Sequence, residues 1–562
     1  MARRFASSKF GLFLFGGVAL AFAGSFGSLS DSIILGHVIG EDALAGVNML
    51  ASIRAVTMFL ACVIAIGTVN NYSIWMGRLD RSRARDFFAQ GLWTILAIGG
   101  AVSLFMLFGG DWYLSLLEGE EYVTMYAEQY LEWAWPLGLL ECLLVFFGLC
   151  CCADGDFRLC TLAGILALVL RPWISYVAVE QGMGAAGCAL GAVASEGAAL
   201  LVLGAHAFRK SNTFVPAWHF SLFDTYYIFR ASAGDGMMFV CDAVLFFLIN
   251  RLVIVRYGSD FLPVAGMAIV LWDVFGVFNG IGMAAQPLVS GYWGERNTRG
   301  IRRVMRVAMV AATIGGLLFT LKVLFLPGVL TRVFGIEYPD LVVEGRACLN
   351  LICLGAVPIA LAMLLKSYYL FIERPLISLA LALTCFLAMP ALATWVGAQI
   401  SLRAMWLGLG LGPLLGLALM SAAILLKRGR RGFPLILPRK REDRVHMFDL
   451  ALTTNEIVEV SRAVANLLEG EVRERAALMV EEVLLAVKER NGARAIRGEV
   501  TLDLNDGVVL ALRDDGEIFD ITDADAKVES LRAYLVASVM ERQRERVNLV
   551  ATGFNRNVFR FA

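Results

Sequence analysis

Charge is scarce in this chain. Only 17% of its 562 residues are Asp, Glu, Lys or Arg, against about 25% in soluble domains, which excludes an ordinary soluble globular protein. Net charge is missing too: 49 basic residues balance 49 acidic ones, so no overall field gathers nucleic acid, and none is expected as a partner. Metal-ligand spacing is also lacking. The eleven cysteines lie in or beside apolar stretches. Cys150-Cys151-Cys152 is an adjacent run without the intervals of a zinc knuckle or a redox motif, and such thiols serve as small packing residues. No metal site is expected. What the chain has in abundance is apolar surface: 58% hydrophobic residues and a mean hydropathy of +0.69.

That surface is unevenly placed. Between about residues 10 and 426, apolar stretches of some 20 residues recur, each long enough to cross a hydrocarbon core of about 30 Å as a helix. Twelve spans fit: 11–36, 44–75, 88–110, 124–152, 158–179, 186–208, 228–256, 262–292, 303–327, 341–371, 376–398 and 402–426. The first follows Arg3, Arg4 and Lys9 and mimics a signal peptide, with Ala21-Phe22-Ala23 in the place of a cleavage site. It continues through Asp31, however, and takes part in a repeat. Basic residues cluster after spans two, eight and twelve (Arg78–Arg85, Arg296–Arg306, Lys427–Arg431), and the opposite loops are poor in base. This bias puts both termini in the cytoplasm of a multi-pass protein, in a bacterial-type inner membrane.

The repeat is visible in GEDALAGVNM (40–49) against GSDFLPVAGM (258–267), where Gly40, Asp42, Leu44 and Met49 match Gly258, Asp260, Leu262 and Met267. MGRLDRSRARDFF (76–88) likewise parallels WGERNTRGIRRVM (293–305), at an offset of 218 becoming 217. The predicted fold is therefore an all-α polytopic bundle of two pseudo-symmetric six-helix units, 1–216 and 217–427. A basic linker, 428–442, leads to a cytosolic α+β sandwich at 443–562. Duplicated six-helix units are typical of secondary transporters, whose substrate path runs between the halves.

DSIILGHVIGEDALAGVNM (31–49) resembles the first-to-second helix segment of multidrug and toxic compound extrusion (MATE) transporters. GIGMAAQPLVSGYWGERN (280–297) resembles that family's eighth helix and following loop, ADGDFR (153–158) its fourth-to-fifth loop, and GMGAAG (182–187) the start of its sixth helix. The resemblance implies export of organic, often cationic compounds, coupled to inward flow of H+ or Na+, with no other cofactor and no catalytic residue.

An ionisable residue inside a bilayer points to function, because an unpaired charge there costs about 2.5–3.5 kcal/mol even on lenient scales. Asp31 matches the family's first-helix aspartate. The family's fifth helix often reads Asn-x-x-x-Asp-Pro; here ALVLRP (167–172) puts Ala167 and Arg171 in the polar places. A permanently charged Arg171 near Asp31 would hold it ionised, and a substrate competing for the guanidinium would be anionic or zwitterionic. Alternatively, Arg171 snorkels to the interface. Asp242 and Asp273 are the second half's candidates for ion or substrate binding. Asp235, Glu141 and Glu196 are further carboxylates within spans, and Lys366 is either a counter-charge or an interfacial anchor.

In the tail, helices are expected from a cap at Thr454 to Leu468 and over Glu471–Arg490, ended by Asn491-Gly492. EVTLDL (499–504) and VVLALR (508–513) read as a hairpin, a helix is expected near 527–545, and NLVATGFNRNVFRFA reads as strands. This order resembles histidine-kinase-like ATPase domains of the anti-sigma serine-kinase type. The resemblance puts Glu482 in the catalytic glutamate's place and Asp514 and Gly516 in the adenine-reading loop. Ala486 replaces the magnesium-binding asparagine, and Ser530 and Arg532 replace lid glycines. Nucleotide binding is therefore expected to be weak or absent and ATPase activity lacking, with the tail regulating transport through a cytosolic protein partner or a nucleotide. Two alternatives to an exporter are a flippase for a lipid-linked or anionic substrate and a membrane-tethered sensor.

Overall fold

The computed structural model describes residues 5–78, 80–116, 121–209, 212–258, 261–325, 339–428, 434–437, 442–505, 507–517, 546–551 and 554–561. Among these, ten helices are long and apolar enough to cross a membrane, or up to twelve if each of two bent pairs counts as one span.

In chain order the first half comprises α1 (Phe5–Ile34, prolonged by Leu35–Ile39), α2 (Ala51–Gly77), α3 (Arg81–Phe108), α4 (Glu121–Ala134 and Leu137–Ala153), α5 (Phe157–Ala178) and α6 (Ala185–Gly204). The second comprises α7 (Leu222–Tyr257), α8 (Leu262–Val274, a 3-10 turn at Phe275–Phe278, then Asn279–Gly294), α9 (Thr298–Phe325), α10 (Pro339–Cys353 and Ala356–Phe371), α11 (Pro375–Leu383, a π turn at Thr384–Ala388, then Met389–Ala398) and α12 (Leu402–Arg428). The fourth helix of each half is the broken one, bent by 55° in α4 and 43° in α10. Pro136 explains the first break, since it lacks the N–H that would continue the ladder. Helix starts follow local chemistry: the Asp80 carboxylate accepts from Arg83 N at 3.0 Å before α3, and Ser221 Oγ from Asp224 N at 3.2 Å before α7.

The halves meet where α1 and α2 pack on α7 and α8. Contact there is close enough to require glycine. A Cβ on Gly17 would lie 2.5 Å from the carbonyl oxygen of Gly280, and one on Gly77 would lie 2.5 Å from that of Gly291. Asn70 stitches the seam, donating to the Leu370 carbonyl and accepting from Ser290 Oγ, both at 2.9 Å.

The tail is a five-stranded antiparallel sheet of β1 (Val445–Ala451), β2 (Arg497–Asp503), β3 (Val508–Asp514), β4 (Arg546–Ala551) and β5 (Phe554–Phe561), in the order β1-β2-β3-β5-β4. Two helices, α13 (Thr454–Asn466) and α14 (Gly470–Asn491), cover one face. Their core holds Ile457, Met479, Val483 and Leu484 against Val500, Leu502, Leu510, Leu512 and Phe559. Thr453, one residue before the expected cap, is the one whose hydroxyl accepts from Glu456 N. The expected helix near 527–545 and the lid stretch at 530–535 lie outside the described residues.

Candidate functional site

Period-two alternation and helical periodicity together decide which charges go inside. In half 1, Arg171 on α5 is buried and paired inside the bundle, unlike a side chain that snorkels to water. Its Nη2 and Nε donate to Asp31 Oδ2 on α1 at 2.8 and 3.0 Å, and its Nη1 to Glu196 Oε1 on α6 at 3.4 Å. Ser175 Oγ, one turn along α5, donates to Asp31 Oδ1 at 3.4 Å. Asp31 thus has three donors and is 4% exposed. Glu196 is served differently: its Oε2 is buried with no hydrogen-bond partner. On the same side of the bundle, Arg54 of α2 lies 3.9 Å from Glu141 of α4. Glu141 in turn acts electrostatically on Glu196.

Half 2 has its own pair. Lys366 of α10, only 1% exposed, places Nζ 2.5 Å from Asp235 of α7. Ser367 Oγ donates to the same carboxylate at 3.5 Å, and Met238 Sδ lies 3.3 Å from the ammonium. Lys366 is therefore a counter-charge and not an interfacial anchor. Asp242, two turns along α7 from Asp235, accepts from Trp272 Nε1 on α8 at 2.9 Å. Asp273, the next residue of α8, is solvent-accessible and feels the charge of Arg54 across the seam. The structure therefore brings together Asp31, Arg171 and Glu196 in one half and Asp235 with Lys366 in the other, while Asp242 is bonded to Trp272 and lies near Asp273.

The ADGDFR stretch acquires a role as well. Asp154 and Asp156 each lie 3.0 Å from a ring nitrogen of His206, so the loop is tied to the end of α6.

In the tail, Asp514 is fully buried on the helix-covered face, where it accepts from Gly516 N at 3.0 Å and Asn555 Nδ2 at 2.8 Å. Burial pushes its carboxyl up to about 6. Asn491 closes in from α14: its Oδ1 accepts from Glu517 N at 2.9 Å, and a Cβ on Gly516 would lie 2.7 Å from its Nδ2. Glu482 is half-buried on α14, one turn from the buried Ala486.

Sequence reasoning missed Arg54, an arginine inside an otherwise uncharged apolar span, because Arg171 was reached through the family's fifth-helix pattern and no such pattern covers Arg54. It also missed the charged residues on the open face of the tail sheet, which alternate with the core residues of β2 and β3.

Two six-helix halves, a glycine-lined seam and a buried cation–carboxylate pair in each half define a class: a two-repeat membrane transporter bundle. The family follows from comparison. The MatE family model matches residues 19–177 and again 237–395, together more than half of the chain, and the chain belongs to that family of membrane transporters. The two matches lie 218 residues apart, the offset read from the internal repeat. Among solved structures, the chain is similar to the outward-facing conformation of a multidrug resistance MATE family transporter (TM-score 0.67, 17% identity, covering 74% of this chain and 96% of that one). It is similar to a MATE protein in complex with MaL6 (TM-score 0.67, 17% identity, 74% and 97% covered). It is also similar to a MOP superfamily transporter from Pyrococcus furiosus Vc1 (DSM3638), whose reverse polarity of binding pocket is said to suggest a different function (TM-score 0.66, 17% identity, 75% and 97% covered). Likeness at these identities speaks for the fold. A search of curated proteins returns no match.

Proposed function

We propose that the chain is an antiporter that exports organic compounds bearing an acidic group, anionic or zwitterionic, in exchange for H+ or Na+, and that Glu196 takes the coupling ion. The observation that carries this reading is the unequal service of the two carboxylates around Arg171. Asp31 receives three donors, whereas Glu196 receives one long bond and keeps a bare oxygen. Among the described residues, the ion pairs of Asp31, Glu141 and Glu196 are with Arg54 and Arg171, three carboxylates to two guanidinium groups. A proton or a sodium ion on Glu196 evens that count. Substrate enters the same account through Arg171, whose planar fork binds a carboxylate or phosphate as well as it binds Asp31. Asp242 and Asp273 would serve as further contacts for a bound solute.

A flippase would have to use the same two cations, Arg171 and Lys366, each of which is bonded to a carboxylate. For the tail we propose a cytoplasmic regulatory role on a histidine-kinase-like scaffold, without ATP hydrolysis. Asn491 and Asn555 fill the space around Asp514 and Gly516, which supports that reading.

Flux into proteoliposomes containing the full chain tests the transport proposal. Under an imposed proton or sodium gradient, an anionic or zwitterionic dye should accumulate at least tenfold above protein-free vesicles. Accumulation of cationic dyes alone would overturn the acidic-group assignment. No gradient-driven accumulation of either would overturn antiport.

A further inference from the structure

The open face of the tail sheet is the least expected surface of the molecule. In β-strands alternate residues share a face, and the register aligns Asp449, Glu499, Arg513 and Arg556 side by side across β1, β2, β3 and β5. This row reads acid, acid, base, base. It is not exposed to solvent: Glu499, Arg513 and Arg556 are all buried.

What buries the row is the membrane bundle, which meets each of its four members with a polar or charged partner. Asp449 faces Arg303 of α9 at 2.8 Å. Glu499 accepts from Tyr292 OH of α8 at 2.9 Å. Arg513 and Arg556 both engage Glu295, just past the end of α8, the latter at 2.8 Å.

Two members of the row also touch the other half. Asp449 accepts from Phe5 N in the first turn of α1 at 3.2 Å, and Arg556 donates to the Met76 and Gly77 carbonyls at the end of α2 at 3.3 and 3.4 Å. An acid at a helix start and a base at a helix end each suit the backbone dipole. The Arg556 contact falls where Gly77 meets Gly291 and Gly294, a close contact between α2 and α8. Phe5 adds an edge-on ring contact with Phe554, centroids 5.4 Å apart.

We propose that the tail sheet is a latch: through Asp449 and Arg556 it grips the tail-side ends of both halves at once and holds that side of the transporter closed. Rocking one half against the other is the general way such two-repeat bundles alternate access. In this chain, opening on the tail side requires the α2 end to leave the α8 end, and therefore requires Arg556 to release either Glu295 or the α2 carbonyls. Whatever frees the sheet frees that opening. The inference rests on the transporter reading for its consequence but not for its geometry.

Amide hydrogen exchange of the full chain in detergent micelles separates the two. In the unmodified protein, residues 74–78 and 291–297 should be protected. The double variant Asp449→Asn with Arg556→Gln should raise exchange at least tenfold at both helix ends and in β1 and β5 together. Faster exchange in the strands with the helix ends unchanged would show a docked tail that latches nothing, and no change anywhere would show that these charges do not hold the sheet. Should the double variant fail to fold, Arg303→Asp alone should raise exchange at 291–297, and Arg303→Asp combined with Asp449→Arg should restore it. A single variant at the unmodified level would overturn the proposal. The outcome is independent of flux: a latch confirmed by exchange in a protein that transports nothing would sink the antiporter reading and leave the latch standing.

Discussion

Arg171 shows what one substitution does inside a bilayer. A buried guanidinium must be paired, and removing one partner of a buried ion pair costs about 3–5 kcal/mol because the other charge is stranded. Arg171→Met should therefore destabilise the chain by roughly that amount, and adding Asp31→Asn should recover most of the loss. Thermal unfolding in detergent reads both, and additive losses would show that the two side chains do not depend on each other. Asp31 was legible in the sequence because an ionisable group in an apolar run stands out by itself, and Arg171 through the family's fifth-helix pattern. Their pairing was not, since α1 and α5 are 140 residues apart in the contact concerned. Asp514 offers a second test at this scale. Its carboxyl sits near 6 in the folded tail, above its ordinary 3.8, facing Lys9 of α1, Asp515 and Asn555. The folded state thus holds the proton more tightly. The stability this provides is full below the ordinary value and is lost as pH rises through about 6. Amide protection in β3, corrected for intrinsic exchange, should increase on going from pH 7.5 to 5. Asp514→Asn should flatten that change and stabilise the tail at pH 7.5 by up to about 3 kcal/mol.

At the scale of elements, hydropathy located the long apolar helices, with ends off by as much as seven residues, because a bilayer demands length and apolarity and little else. It could not show the bends. The single run read at 124–152 is two helices meeting at Pro136, and that at 341–371 is likewise broken. In the tail, α14 ends at Asn491 before Gly492 as the sequence suggests, whereas β1 went unread. VHMFDLA carries His446 and Asp449 among its apolar residues, and its strand character comes from pairing with β2. Packing between elements yields a sharp prediction. Gly77→Ala would drive a methyl group into the Gly291 carbonyl, whereas Gly291→Ala meets open space. Gly77→Ala should cut flux at least tenfold and raise amide exchange at the end of α2, and Gly291→Ala should behave as the unmodified protein. Equal behaviour of the two would mean that the seam does not need to close here.

At the scale of the whole molecule, the repeat offset, the double family match and the matched breaks in α4 and α10 describe one duplicated unit. The sequence announces this because duplication leaves recognisable segments. The docking of tail on bundle was hidden, because it depends on the register of four strands bringing four charges into one row against three residues of α8, its following turn and α9. The two halves are not equivalent in chemistry. In half 2 Lys366 is paired with one carboxylate, Asp235, whereas in half 1 Arg171 is shared between two, Asp31 and Glu196. On the proposed antiporter reading, ion coupling belongs to half 1, at Glu196. The most direct test compares two assays of Glu196→Gln in proteoliposomes: exchange of labelled for unlabelled substrate without a gradient, and accumulation driven by a proton or sodium gradient. Exchange within twofold of the unmodified protein together with loss of driven accumulation is the predicted result. Driven accumulation at the unmodified level would contradict the assignment.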